Sequence, residues 1–254
     1  MLNEPNFDEA AIRIGIASDR LREELRTHEV MGMLFPALEV AGLEVGLFGG
    51  TALNKVYFGK RQRLSYDIDI YCASLTGAIK AIRSLGGKHA AGADEKPGRN
   101  ERRRMTLGGV AIDLWKVEMP EKPAKLQAVD LLQYLGYLVQ PVVVPSFSLE
   151  YLLADKTIAM ADRNELKDIY DTWMGLSLVR DRQKYRRYLR AASRKRGIED
   201  YWSYINHQIE GVMLKNLVYY EKRRIDVTDV PATERMLREI EDAPALQAPA
   251  AHPG

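Results

Sequence analysis

The chain has 254 residues, 46% of them apolar and 28% charged, with a formal net charge of +2. These values exclude a fibrous or disordered chain and leave room for one large domain or two small ones. No apolar run reaches membrane-spanning length, a single cysteine (Cys72) excludes an internal disulfide framework and fits a reducing cytoplasm, and the four histidines lack metal-ligand spacing.

Residues 8–41 read as helical, because Ala11, Ile12, Ile16, Leu21 and Leu25 recur at three- and four-residue intervals; Pro36 and Gly42 punctuate the end. Val45 to Phe48 reads as a first strand, which enters a Gly49-Gly50 turn and a helix over Thr51 to Tyr57. Two glycines let the backbone turn tightly and approach a ligand, and the amides of a helix start favour an anion. Asp67 to Tyr71 reads as a second strand. Its acids Asp67 and Asp69 are two apart and share one face, while Ile68 and Ile70 point into the core. Two carboxylates on one face repel unless a cation lies between them, and Mg²⁺ is the usual hard-oxygen solution.

Leu75 to Leu85 reads as a helix stopped by Gly86-Gly87, and residues 91–102 as a loop whose basic end, Arg102 to Arg104, enters a strand. Met105 to Leu107, Gly108-Gly109 and Val110 to Val117 form a hairpin signature. Alternation puts Ala111, Asp113 and Trp115 on one face. Val142 to Val144, between Pro141 and Pro145, suggests an edge or boundary strand, with a domain boundary near 145. From Ser148, a plausible N-cap, the chain reads as helices: through Arg163 and on to Asp171, the basic run 180–196, residues 201–224, and Thr233 to Ile240. The Ala/Pro-rich tail from Asp242 reads as disordered.

The order Gly-Gly-Thr-Ala-Leu (49–53), then Arg63-x-Ser65-x-Asp67-Ile68-Asp69, resembles the AbiEii/AbiGii (MenT-like) nucleotidyltransferases, toxins of type IV toxin–antitoxin pairs within the DNA polymerase β-like superfamily. Lys156, Arg163, then Lys167-Asp168-x-x-Asp171 is similar to the family's second block. The resemblance implies an α+β fold: a mixed-sheet nucleotidyltransferase core with N-terminal helices (1–145), an all-α C-terminal domain (146–241) and a tail (242–254). It implies Mg²⁺ (or Mn²⁺) on Asp67, Asp69 and Asp113, and an NTP contacted by Gly49, Gly50, Thr51, Arg63, Ser65 and Lys156, with Asp168 also catalytic. Arg63 could instead brace the Asp-x-Asp strand. The implied reaction is transfer of NMP to an RNA acceptor, in first place a tRNA 3′ end, in the cytoplasm and under control of a cognate antitoxin. Arg186, Arg187, Arg190 and Arg194 would follow the RNA backbone. Nucleotidylation of a small molecule or a protein, or a non-catalytic nucleotide- or RNA-binding module, stays open at this point.

Overall fold

The computed structural model describes residues 6–90, 101–163, 165–198, 200, 203–205, 233–244 and 246. The chain divides into two compact units, one reaching to Ser148 and one from Leu149 onward. Most of the helix expected over 201–224, nearly all of the loop over 91–102 and the far tail lie outside the described residues.

The first unit is a seven-stranded mixed sheet with helices. Its strands are β1 (Val45–Phe48), β2 (Asp67–Cys72), β3 (Lys88–His89), β4 (Arg102–Leu107), β5 (Val110–Lys116), β6 (Ala124–Ala128) and β7 (Val142–Ser146), in the order β3-β4-β5-β2-β1-β7-β6. β2 is antiparallel to β1 and parallel to β5. Helices α1 (Phe7–Ile14), α2 (Ser18–Val40), α3 (Gly49–Ala52), α4 (Leu75–Ser84) and α5 (Leu131–Tyr134) complete the unit. A π-helical turn, Leu53–Tyr57, continues α3.

Alternation along β2 and β5 decides what each sheet face does. Ile68, Ile70, Ile112 and Leu114 are fully buried on the face that α2 and α4 cover. Burying four such side chains contributes several kcal/mol, at about 1.5–3 kcal/mol each. That anchoring holds the opposite face, with Asp67 and Asp69, in a fixed register.

Several expectations are corrected. The helix expected over 8–41 is broken at Gly15, whose left-handed backbone caps α1. Pro36 does not end α2, because buried Leu34, Phe35 and Leu38 hold the helix against the core on both sides of it. Of the two alternatives for the 142–144 run, the edge strand fails: β7 lies between β1 and β6, pairs with β1 where Leu47 faces Ser146, and ends two residues before the division at Ser148. The sequence reading also omits β3, β6 and α5; β6 exposes most of its residues, so it carries little apolar alternation.

The second unit is helical among its described residues: α6 (Leu149–Arg163), α7 (Leu166–Leu178), α8 (Arg182–Lys195) and α9 (Thr233–Glu241). Ser148 does not cap α6 with its hydroxyl. Its Oγ is buried without a partner, and its N–H donates to Glu121 Oε1 at 2.5 Å. The start of the expected disordered tail is folded instead: Leu246 is buried, and Arg186 donates to the Pro244 carbonyl at 2.7 Å. Among the described residues no helix is long and apolar enough to cross a membrane.

Candidate active site

The site forms where β1 runs into α3. Gly49 has φ +73°, and a Cβ there would lie 2.5 Å from Asp69 Oδ2. Only glycine lets the turn close onto that carboxylate. Phe48 pairs with Asp69 in register, so the turn follows directly from the strand pairing. Asp67 and Asp69 are both half-buried, while Ile68 and Ile70 are sealed beneath them. The Asp-x-Asp alternation expected from the sequence is the alternation found.

Thr51 and Ser65 take a different role from the one the resemblance implies. Both are buried. Thr51 Oγ1 donates to the Asp67 carbonyl at 2.5 Å and lies 2.6 Å from Ser65 Oγ. A threonine hydroxyl has one proton, so Ser65 must be the donor to Thr51. These hydroxyls fasten the start of β2. Arg63 is buried too. It donates to the Leu64 carbonyl at 2.9 Å, and its N–H is received by Asn54 Oδ1 at 2.6 Å. Asn54 in turn donates to the Gly50 carbonyl at 2.8 Å.

Beneath this layer is an ionic group that the sequence reading misses. Lys55 Nζ lies 2.5 Å from Glu24 Oε1 and 3.0 Å from Asp130 Oδ2, with all three side chains at 0% exposure. Glu24 Oε2 accepts the Ser65 N–H at 2.6 Å, and Asp130 Oδ1 accepts the Leu132 N–H at 2.9 Å. One group thus ties α2, the π-turn, α5 and the Ser65 segment together. Burial lowers the Lys55 pKa, but Asp130 and Glu24 outweigh it and hold the ammonium above its ordinary range. The available signal is a lysine inside the apolar run Ala52 to Phe58, with Glu24 on the buried Leu21–His28–Met31 face of α2.

Asp113, the third carboxylate of the expected metal set, is engaged by other side chains of the protein. It lies beside Asp69 in register, but its oxygens are engaged by two arginines. Arg104 donates from Nε and Nη2 at 2.8 and 2.6 Å, and Arg102 from Nε and Nη2 at 3.2 and 2.7 Å. Burial raises the Asp113 carboxyl, yet the bonds from Arg104 and Arg102 outweigh it and hold the group below its usual range. Among the described residues, no three carboxylate, histidine or cysteine groups stand close enough to share a metal. A carboxylate already gripped by two guanidiniums has little charge left for a cation.

Cys72, at the end of β2, is buried, and burial pushes its thiol up to about 11. A catalytic thiol needs a depressed pKa, so Cys72 is packing. At pH 8 the native thiol is expected to react with a disulfide reagent on the order of a hundredfold more slowly than the unfolded chain. A stopped-flow comparison of native and denatured protein checks this.

In the second unit, Lys156 Nζ lies 2.5 Å from Asp168 Oδ1 and 3.0 Å from Asp171 Oδ2. Arg163 donates to both Asp168 oxygens, at 3.0 and 3.1 Å. The break between α6 and α7 folds these charges together, and both aspartates are fully buried. The charged residues of the second block, Lys156, Arg163, Asp168 and Asp171, therefore form one cluster. On α8, Tyr185 and Leu189 are buried. Arg186, Arg187, Arg190 and Arg194, with Gln183 and Ala191, line a cavity of about 500 Å³.

A family model, the nucleotidyl transferase AbiEii toxin of type IV toxin–antitoxin systems, matches residues 47–250. No curated protein matches the chain. Among solved structures, the chain is similar to the MenT4 nucleotidyltransferase toxin of Mycobacterium tuberculosis, at 15% identity over 96% of this chain and 90% of that one, with a TM-score of 0.62. It is also similar to a putative nucleotidyltransferase of Helicobacter pylori, at 14% identity over 89% and 93% of the two chains, with a TM-score of 0.52. At these identities the structures show a shared fold. The family match spans the glycine turn, the Asp-x-Asp strand and the Lys156 cluster together, and the chain belongs to the AbiEii nucleotidyltransferase toxin family.

Proposed function

We propose that this nucleotidyltransferase moves a nucleoside monophosphate from an NTP to an RNA acceptor, in first place the 3′ end of a tRNA, with Mg²⁺ or Mn²⁺ bound by Asp67 and Asp69. The observation that carries this reading is the closure of Gly49 onto Asp69. A Cβ would fill the space between turn and carboxylate, which keeps two hard oxygen donors beside a backbone that can approach a polyphosphate. A bound ion there would offset phosphate charge and ease ionisation of the acceptor hydroxyl.

The chain's own residues do the rest. The acceptor hydroxyl gives up its proton to water, its oxygen forms a bond to the α-phosphorus, the bond to the β-phosphate bridging oxygen breaks, and pyrophosphate leaves with the electron pair. Gly49 and Gly50 floor the polyphosphate. Thr51 and Ser65 hold the start of β2, and so the aim of Asp67, through their buried hydroxyl pair. Lys156, held by Asp168 and Asp171, keeps in this reading the nucleotide-binding role that the family's second block implies. The four arginines that line the α8 cavity receive RNA phosphates. A cognate antitoxin and a cytoplasmic setting belong to the same reading.

The test is incubation with α-labelled NTPs, Mg²⁺ and total tRNA, with and without the RNA. Label is expected in RNA from the wild type alone. Equal labelling by an Asp69→Asn variant, or label only in protein or small-molecule fractions, would overturn the reading. Gly49→Ala is expected to cost about 1–2 kcal/mol of stability from the left-handed backbone. It should also slow transfer on the order of a hundredfold by displacing Asp69. Urea unfolding and the same assay measure the two effects separately.

A further inference from the structure

The sheet register lines up Asp113 and Arg104, which the proposed reaction does not use, with Asp69. Phe48 pairs with Asp69, Asp69 with Asp113, and Asp113 with Arg104. Side chains of register-paired residues on adjacent strands share a face, so these four form one row across β1, β2, β5 and β4. The neighbouring row holds Tyr71, Trp115 and Arg102. Strands are about 4.8 Å apart, so the two arginines start roughly 10 Å from β2, on the side away from β1.

One bidentate guanidinium would neutralise Asp113. The second is in excess of Asp113 and faces Asp67 and Asp69, whose charges also act on Arg104, and each arginine side chain is 42% exposed. The bonds to Asp113 use Nε and Nη2 of each arginine, so both Nη1 edges lie outside them. Arg102 is also stacked over the Trp115 ring at 5.1 Å. Two forks are thus fixed in place with donors to spare, as suits a phosphate.

In-line transfer decides whose phosphate this is. The attacking and leaving oxygens lie on opposite sides of the α-phosphorus. If the polyphosphate rests on Gly49–Gly50, the pyrophosphate departs toward β1. The attacking hydroxyl then arrives from the β5–β4 side, where Arg102 and Arg104 stand. We propose that Arg102 and Arg104, clamped by Asp113, bind the backbone phosphate next to the reacting hydroxyl of the RNA acceptor. This rests on the RNA-directed transfer proposed above.

The test is steady-state transfer by Arg102→Ala, Arg104→Ala and Arg104→Lys, each of which leaves Asp113 paired with at least one guanidinium and so preserves the fold. The two alanine variants are expected to raise the KM for tRNA about tenfold and to leave the KM for NTP unchanged. The salt dependence of the tRNA term should fall by up to about 0.9 in log–log slope, one phosphate's share. Arg104→Lys should recover part of the loss, because it keeps the charge and loses the fork. A raised KM for NTP would reassign the pair to the nucleotide, and an unchanged tRNA KM and salt slope would remove it from phosphate binding; either overturns the proposal. If the wild type labels RNA and the variants match it, this assignment alone fails. If the wild type labels no RNA, the acceptor reading fails and takes this assignment with it.

Discussion

Asp69→Asn is expected to lower kcat for nucleotidyl transfer on the order of a thousandfold or more while leaving the fold intact. Asparagine keeps the shape of the side chain, so it still fits against Gly49. It gives up the negative charge that would hold a divalent ion. The strand keeps its place, because Ile68 and Ile70 anchor it from the other face. Asp67→Asn should behave the same way, and circular dichroism with an unchanged unfolding midpoint would separate lost chemistry from lost structure. A residual rate within tenfold of the wild type would show that Asp69 is not a metal ligand.

Lys55→Met is expected to destabilise the first unit by about 3–5 kcal/mol, the cost of leaving buried charges uncompensated. Among the described residues Lys55 is the cation that pairs with both Glu24 and Asp130, and all three side chains are sealed from water. The loss should depend on pH with a definite sign. Burial already raises the Glu24 carboxyl and Lys55 opposes that rise, so removing the lysine raises it further. A carboxyl raised in the folded state binds more protons there than in the unfolded chain. Its contribution is therefore present below the unfolded value and lost as pH rises through the folded one. Urea midpoints should show a smaller defect at pH 5 than at pH 8. Because Glu24 also receives the Ser65 N–H, transfer should fall even where the variant stays folded.

Local pattern makes much of this molecule legible before any coordinates. Asp67-Ile68-Asp69-Ile70 alternates with period two, and an alternating strand has one buried and one open face whatever its neighbours are. The hairpin at Gly108-Gly109 and the helix from Leu149 follow from equally local cues. Residues whose role depends on a distant partner are not legible in this way. Thr51 looks like a phosphate contact beside a glycine turn, but its proton goes to the Asp67 carbonyl, 16 residues away. Asp113 looks like a third metal carboxylate, but β4 sets Arg104 opposite it and Arg102 two residues away, and both donate to its oxygens. Lys55, Glu24 and Asp130 are separated by 31 and 75 residues, so no spacing rule connects them.

The most direct measurement is Mn²⁺ binding followed by electron paramagnetic resonance, in the presence of a non-hydrolysable NTP analogue. The wild type should bind the ion saturably together with the nucleotide, and the Asp67→Asn, Asp69→Asn double variant should bind neither ion nor nucleotide appreciably. Equal Mn²⁺ uptake by the double variant would mean that the acidic pair beside the glycine turn does not hold the metal.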